Sequence, residues 1–71
     1  MKFKYHDEVI INSKSPIKGF KKEKPISGHG YVVGLLHDHK TKKQAAVKVK
    51  FFGKNIRYIF MNKDVEKVWK P

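Results

Sequence analysis

Apolar and polar positions alternate most regularly in the second half of the chain. Val47, Val49 and Phe51 are separated by Lys48 and Lys50, Gly53-Lys54-Asn55 interrupts, and Ile56, Tyr58 and Phe60 then alternate with Arg57 and Ile59. Two runs of period two around a glycine-containing turn predict a β-hairpin over residues 45–61, one face apolar and the other basic. Asn62-Lys63-Asp64 offers a turn, residues 64–67 suit a single 3₁₀ turn, and Val65, Val68 and Trp69 lead the chain back to the apolar face in a short last strand. Upstream, Val9 and Ile11 predict a strand over 7–12, with residues 1–6 extending it or left dangling. Residues 31–37 form the next strand, apolar on both sides at Val32, Val33, Leu35 and Leu36, with a bend expected at Gly34. Residues 37–44 read as a polar hairpin loop.

Between the first two strands lie Pro16, Gly19, Pro25, Gly28 and Gly30. Prolines and glycines at that density predict a long loop over 13–30, of the kind that tends to be functional. Five short strands, a long first loop and a 3₁₀ turn before the last strand predict an all-β fold, a small five-stranded SH3-like barrel. A three-stranded sheet without closure is the competing structure. The expected core is Val9, Ile11, Val32, Leu35, Val47, Val49, Phe51, Tyr58, Phe60 and Val65.

Length and charge narrow the function. Seventy-one residues make a single domain spanning 1–71, and the absence of cysteine removes disulfides and thiolate chemistry. Charges in the first residues leave no signal-peptide block, so a soluble, cytoplasmic protein with no membrane partner is expected. Seventeen Lys and Arg oppose six Asp and Glu, a formal net charge of +11, which favours a polyanionic partner. Only Arg57 is arginine. Lysine meets phosphate as a mobile point charge, whereas bidentate reading of guanine edges favours arginine, so the balance points to backbone binding of DNA or RNA. The candidate nucleic-acid contacts are Lys48, Lys50, Lys54 and Arg57 on the hairpin, with Lys18, Lys21, Lys22 and Lys24 in the first loop. Phe52 and Tyr31 are aromatics that can stack on unpaired bases.

Catalysis finds no support: no nucleophile, histidine and acid share motif spacing, and no phosphate loop is present. No enzyme activity, cofactor or small-molecule substrate is expected. His37-Asp38-His39 is too sparse a set for a metal site and reads as a solvated turn.

The order of several segments resembles the KOW domain at the C-terminal end of NusG-type transcription factors. Those segments are Asp7-Glu8-Val9-Ile10-Ile11, Ser15-Pro16-Ile17-Lys18-Gly19-Phe20, Gly30-Tyr31-Val32-Val33, Val47 to Lys54, and Asp64-Val65-Glu66-Lys67-Val68. His6 stands where the family has glycine, Ser15 replaces the first glycine of the loop, Lys54 replaces an arginine, and Lys21 to His29 enlarge the first loop. The resemblance implies an SH3-like barrel that modulates transcription or nucleoid structure. It also implies a protein-docking surface at Ile17, Phe20 and Phe52, which would engage a transcription, ribosomal or nucleoid protein. A looser similarity, over Val47 to Lys70 alone, is to small basic archaeal chromatin proteins of SH3-like fold, in which Trp69 would face DNA. Two functions therefore stay open, a nucleic-acid binder and a protein-docking module.

Overall fold

The computed structural model describes residues 3–18, 21–22 and 24–68, with the backbone alone for Lys18, Lys21 and Lys22. Phe20 and Trp69 lie outside the described residues. The strands are β1 (Glu8–Lys14), β2 (Ile17–Lys18), β3 (Lys21–Lys22), β4 (Ile26–His37), β5 (Gln44–Phe51), β6 (Arg57–Met61) and β7 (Val65–Lys67), with a 3₁₀ turn at Asn62–Asp64 before β7. All pairings are antiparallel, in the order β3-β2-β6-β5-β4-β1-β7. The protein is an all-β, SH3-like barrel: β1, β4, β5, β6 and β7 are its five strands, and β2–β3 is a small hairpin added within the first loop.

The bend of the barrel is carried by β4. Its first half, Ile26 to Tyr31, pairs with β1, and its second half, from Gly30 to His37, pairs with β5. The change of partner falls at Gly30, where a β-carbon would stand 2.3 Å from the Lys50 carbonyl oxygen. Only glycine admits so close an approach of two backbones. Two residues earlier, the Phe51 ring lies on the bare backbone of Gly28, 2.8 Å from where a β-carbon would sit. The irregularity expected at Gly34 takes the form of a bulge: the β4–β5 register shifts between Val32 and Gly34.

These contacts correct the long loop expected over 13–30. Gly28 and Gly30 lie inside β4, and Ser13 and Lys14 belong to β1. Pro25 fits because it immediately precedes β4 and owes the ladder no N–H. Ser13 is the extra residue of a β1 bulge, at φ 54°, and its N–H donates to Ser27 Oγ at 2.8 Å.

Inward rows run Val32–Val49–Tyr58 and Leu35–Val47–Phe60 across β4, β5 and β6. The buried core is Phe3, Val9, Ile11, Val32, Val47, Val49, Phe51, Phe60 and Val65; Leu35 and Tyr58 are half-buried against it. Phe3 is the addition to the expected set, at 1% exposure. Residues 3–7 do not dangle. His6 N–H donates to Val32 O at 2.8 Å and Val32 N–H to Asp7 O at 2.9 Å, tying a turn over residues 4–7 to β4 and seating Phe3 in the core. At the far end of β5, Gln44 and Asn62 exchange side-chain amide hydrogen bonds of 2.6 and 3.0 Å, which fix the 3₁₀ turn to the start of the strand.

In the N-terminal turn His6 adopts φ 70°, the left-handed region that costs a residue with a β-carbon about 1 kcal/mol or more. His6→Gly removes that cost, and the greater freedom of glycine in the unfolded chain offsets part of the gain. The net effect expected is about 0.5 kcal/mol of added stability, a rise in Tm of about 2–4 °C by circular dichroism. A lower Tm would show that the histidine ring holds the turn.

Candidate nucleic-acid interface

The outward face of the sheet is built from two cross-strand rows. One runs Glu8–Tyr31–Lys50–Arg57 through β1, β4, β5 and β6. The other runs Gly34–Lys48–Ile59–Ile17 through β4, β5, β6 and β2. Alternation along β5 puts Val47, Val49 and Phe51 into the core and therefore sends Lys48 and Lys50 outward, both half-buried at their stems. Lys48 lies across Gly34: its Cβ is 3.1 Å from the place a β-carbon would take there, so the missing side chain leaves a trough for the lysine stem.

Lys50 stands directly opposite Arg57, a like-charge pair that weakens the ladder unless an anion sits between them. Among the described residues the acids of this side find partners within 4 Å in Lys67, whose ammonium is 3.3 Å from Asp7, and in His29, whose Nε2 lies at hydrogen-bond distance, 2.9 Å, from Glu8; neither contact uses a cation of β5 or β6. Charge is segregated along the chain in the same sense. Residues 40–61 hold seven cations and no acid, whereas Asp7, Glu8, Asp64 and Glu66, four of the six acids, belong to the N-terminal turn, β1, the 3₁₀ turn and β7.

The other expected contacts are distributed around this face. Lys54 is exposed in the β5–β6 turn, and Lys24 is exposed just before β4. Lys18, Lys21 and Lys22 form the β2–β3 hairpin, which the Ile17–Ile59 pairing sets beside β6. Lys40, Lys42 and Lys43, in the β4–β5 turn, extend the cationic edge and were not among the residues expected at the site. That turn is held by Asp38, whose Oδ1 accepts the N–H groups of Lys40 and Thr41 at 2.8 and 2.9 Å. Those two bonds hold its carboxyl below the usual aspartate range.

Of the expected docking residues, Ile17 and Phe52 do not share one neighbourhood, and Phe20 lies outside the described residues. Ile17 is exposed on β2 against Ile59, while Phe52 packs on His29 and Tyr31 of β4, with ring centroids 5.1 and 5.4 Å apart. Along the sheet β2 and β4 are three strand spacings apart, about 14 Å.

A cleft of about 480 Å³ opens beside Phe52, lined by His6, Asp7, Glu8, Tyr31, Phe52 and Val68. Phe52 is 53% exposed there. Partial burial pushes the Asp7 carboxyl up, but the Lys4 N–H donating to it at 2.9 Å and the Lys67 ammonium outweigh burial and leave it below the usual range. Asp7 is therefore ionised at neutral pH. The cleft was not legible in the sequence, because its lining comes from four segments joined by the β1–β4 and β1–β7 pairings and the chain's course after β5.

No family model, no curated protein and no solved structure matches the chain.

Proposed function

We propose that the protein binds nucleic acid through its phosphates, with little sequence preference, on the outward face of β5 and β6. The observation that carries this reading is the set of outward cations Lys48, Lys50 and Arg57 on β5 and β6, two strands without an acidic residue, with Lys50 and Arg57 set against each other across the ladder. A phosphate placed between them relieves their repulsion and releases condensed counterions. Exposed Lys54 at one end and the lysine-bearing β2–β3 hairpin beside β6 lengthen the track. The predominance of lysine suits backbone contact over base reading. Such a binder modulates transcription or nucleoid structure by occupying or bridging DNA, the role that the resemblance to KOW domains also implies.

An NMR titration with random-sequence duplex DNA tests the reading. Amide shifts are expected along Lys48, Lys50 and Arg57 and through the β2–β3 hairpin. Shifts centred on β1 and β7, or no shifts at low salt, would overturn it.

The second reading is a protein-docking module, and the exposed Phe52 ring is what favours it. It ranks second because Ile17 and Phe52 lie on separate parts of the sheet.

A further inference from the structure

The cleft beside Phe52 adjoins the cationic row directly. Tyr31 is the shared residue: it lines the cleft and is also the cross-strand neighbour of Lys50, which in turn faces Arg57. Moving along that row from β6 to β1, the chemistry changes from cationic to aromatic to acidic. Phosphate fits the first part and is repelled by the last.

A cationic peptide would suit the carboxylates, but a chain with net charge +11 repels it at range and attracts a polyanion. A strand whose phosphates lie on Lys50 and Arg57 brings its bases, not its phosphates, to the rings of Tyr31 and Phe52. The cleft volume is in the range of small-ligand sites. Aromatic faces stack on any base, but only an unpaired base can leave its helix to reach them. An ionised carboxylate accepts hydrogen bonds and cannot donate them. It therefore matches the adjacent imino and amino donors on guanine's pairing edge, and is repelled by the ring nitrogen acceptor on adenine's.

We infer that the cleft formed by Asp7, Glu8, Tyr31 and Phe52 receives an unpaired base, guanine above the others, from a single strand whose phosphates lie on Lys50 and Arg57. The inference rests on the proposed nucleic-acid reading and adds to it the strandedness and base class of the ligand. Phe52 is exposed, and its removal leaves the core set of buried residues intact.

Fluorescence anisotropy with three labelled probes tests it: a short oligothymidylate, the same strand carrying one central guanine, and the duplex of that second strand. The guanine strand is expected to bind best. Phe52→Ala is expected to lower its affinity about tenfold, the usual order for losing one base–aromatic stack, while duplex affinity changes less than twofold. Glu8→Gln is expected to narrow the gap between the guanine strand and oligothymidylate. If Phe52→Ala leaves single-strand binding unchanged, or if oligothymidylate binds as tightly as the guanine strand, the cleft inference is overturned and phosphate binding by β5 and β6 stands. If none of the probes binds, the nucleic-acid reading fails and the cleft inference with it.

Discussion

Gly30→Ala is expected to cost about 3 kcal/mol or more and to lower Tm by about 15 °C, enough to leave a domain of this size largely unfolded at physiological temperature. The added methyl would sit 2.3 Å from the Lys50 carbonyl oxygen and 2.9 Å from both the Lys50 carbonyl carbon and Phe51 Cα. All three atoms are backbone, so no side-chain rotation relieves the clash. The strands must part where β4 changes partner from β1 to β5, the point at which one sheet becomes a barrel. Gly34→Ala, in the same strand, provides the comparison. There the nearest atom is Lys48 Cβ at 3.1 Å, with Cδ and Cε at 3.7 and 3.9 Å, so the strands need shift by only a few tenths of an ångström, and a smaller loss of about 1 kcal/mol is expected. Thermal unfolding of the two variants followed by circular dichroism decides the matter. Equal, small losses would mean that the hand-over at Gly30 is not a tight crossing.

The same glycine shows why the sequence was only partly readable. Gly28 and Gly30 look like loop residues locally, and the loop expected over 13–30 followed from them. Their actual cause is tertiary: the Phe51 ring and the Lys50 carbonyl take the space their side chains would need. Phe3 was left out of the expected core for a related reason: its two-residue spacing with Tyr5 suggests only an extension of the first strand, and its burial follows from the His6–Val32 and Asp7–Val32 hydrogen bonds that hold its segment to β4. The β5–β6 hairpin was legible because its buried and exposed positions alternate without interruption from Val47 to Phe51. That alternation alone placed Lys48 and Lys50 on one face. It did not reveal the cleft, whose Glu8, Tyr31 and Phe52 are distant in sequence and meet through strand register.

Reversing Lys48 and Lys50 together to glutamate is expected to weaken duplex DNA binding about 100-fold at moderate ionic strength. Each phosphate contact contributes close to one power of ten through counterion release at about 0.1 M salt, and the new carboxylates add repulsion. Both side chains point away from the core and are only half-buried, so the substitutions leave the inward rows of β5 untouched. Lys50→Glu also turns the like-charge pair with Arg57 into an opposite-charge one, which favours the folded ladder. Stability therefore should not fall while binding does. A variant with Lys4 and Lys63 reversed carries the same change in net charge on exposed residues outside β5 and β6. It is expected to lose less than threefold. Similar losses in both variants would mean that total charge, and not the β5–β6 face, governs binding.

The most direct measurement is the dependence of duplex DNA affinity on salt, made for the wild-type chain and for the Lys48→Glu/Lys50→Glu variant. In log–log form the slope reports the phosphates neutralised, about −0.9 for each. A steep straight line for the wild type, shallower by about two contacts in the variant, is the result expected of a phosphate-binding face on β5 and β6. A wild-type slope near zero, or the same slope in both proteins, would contradict it.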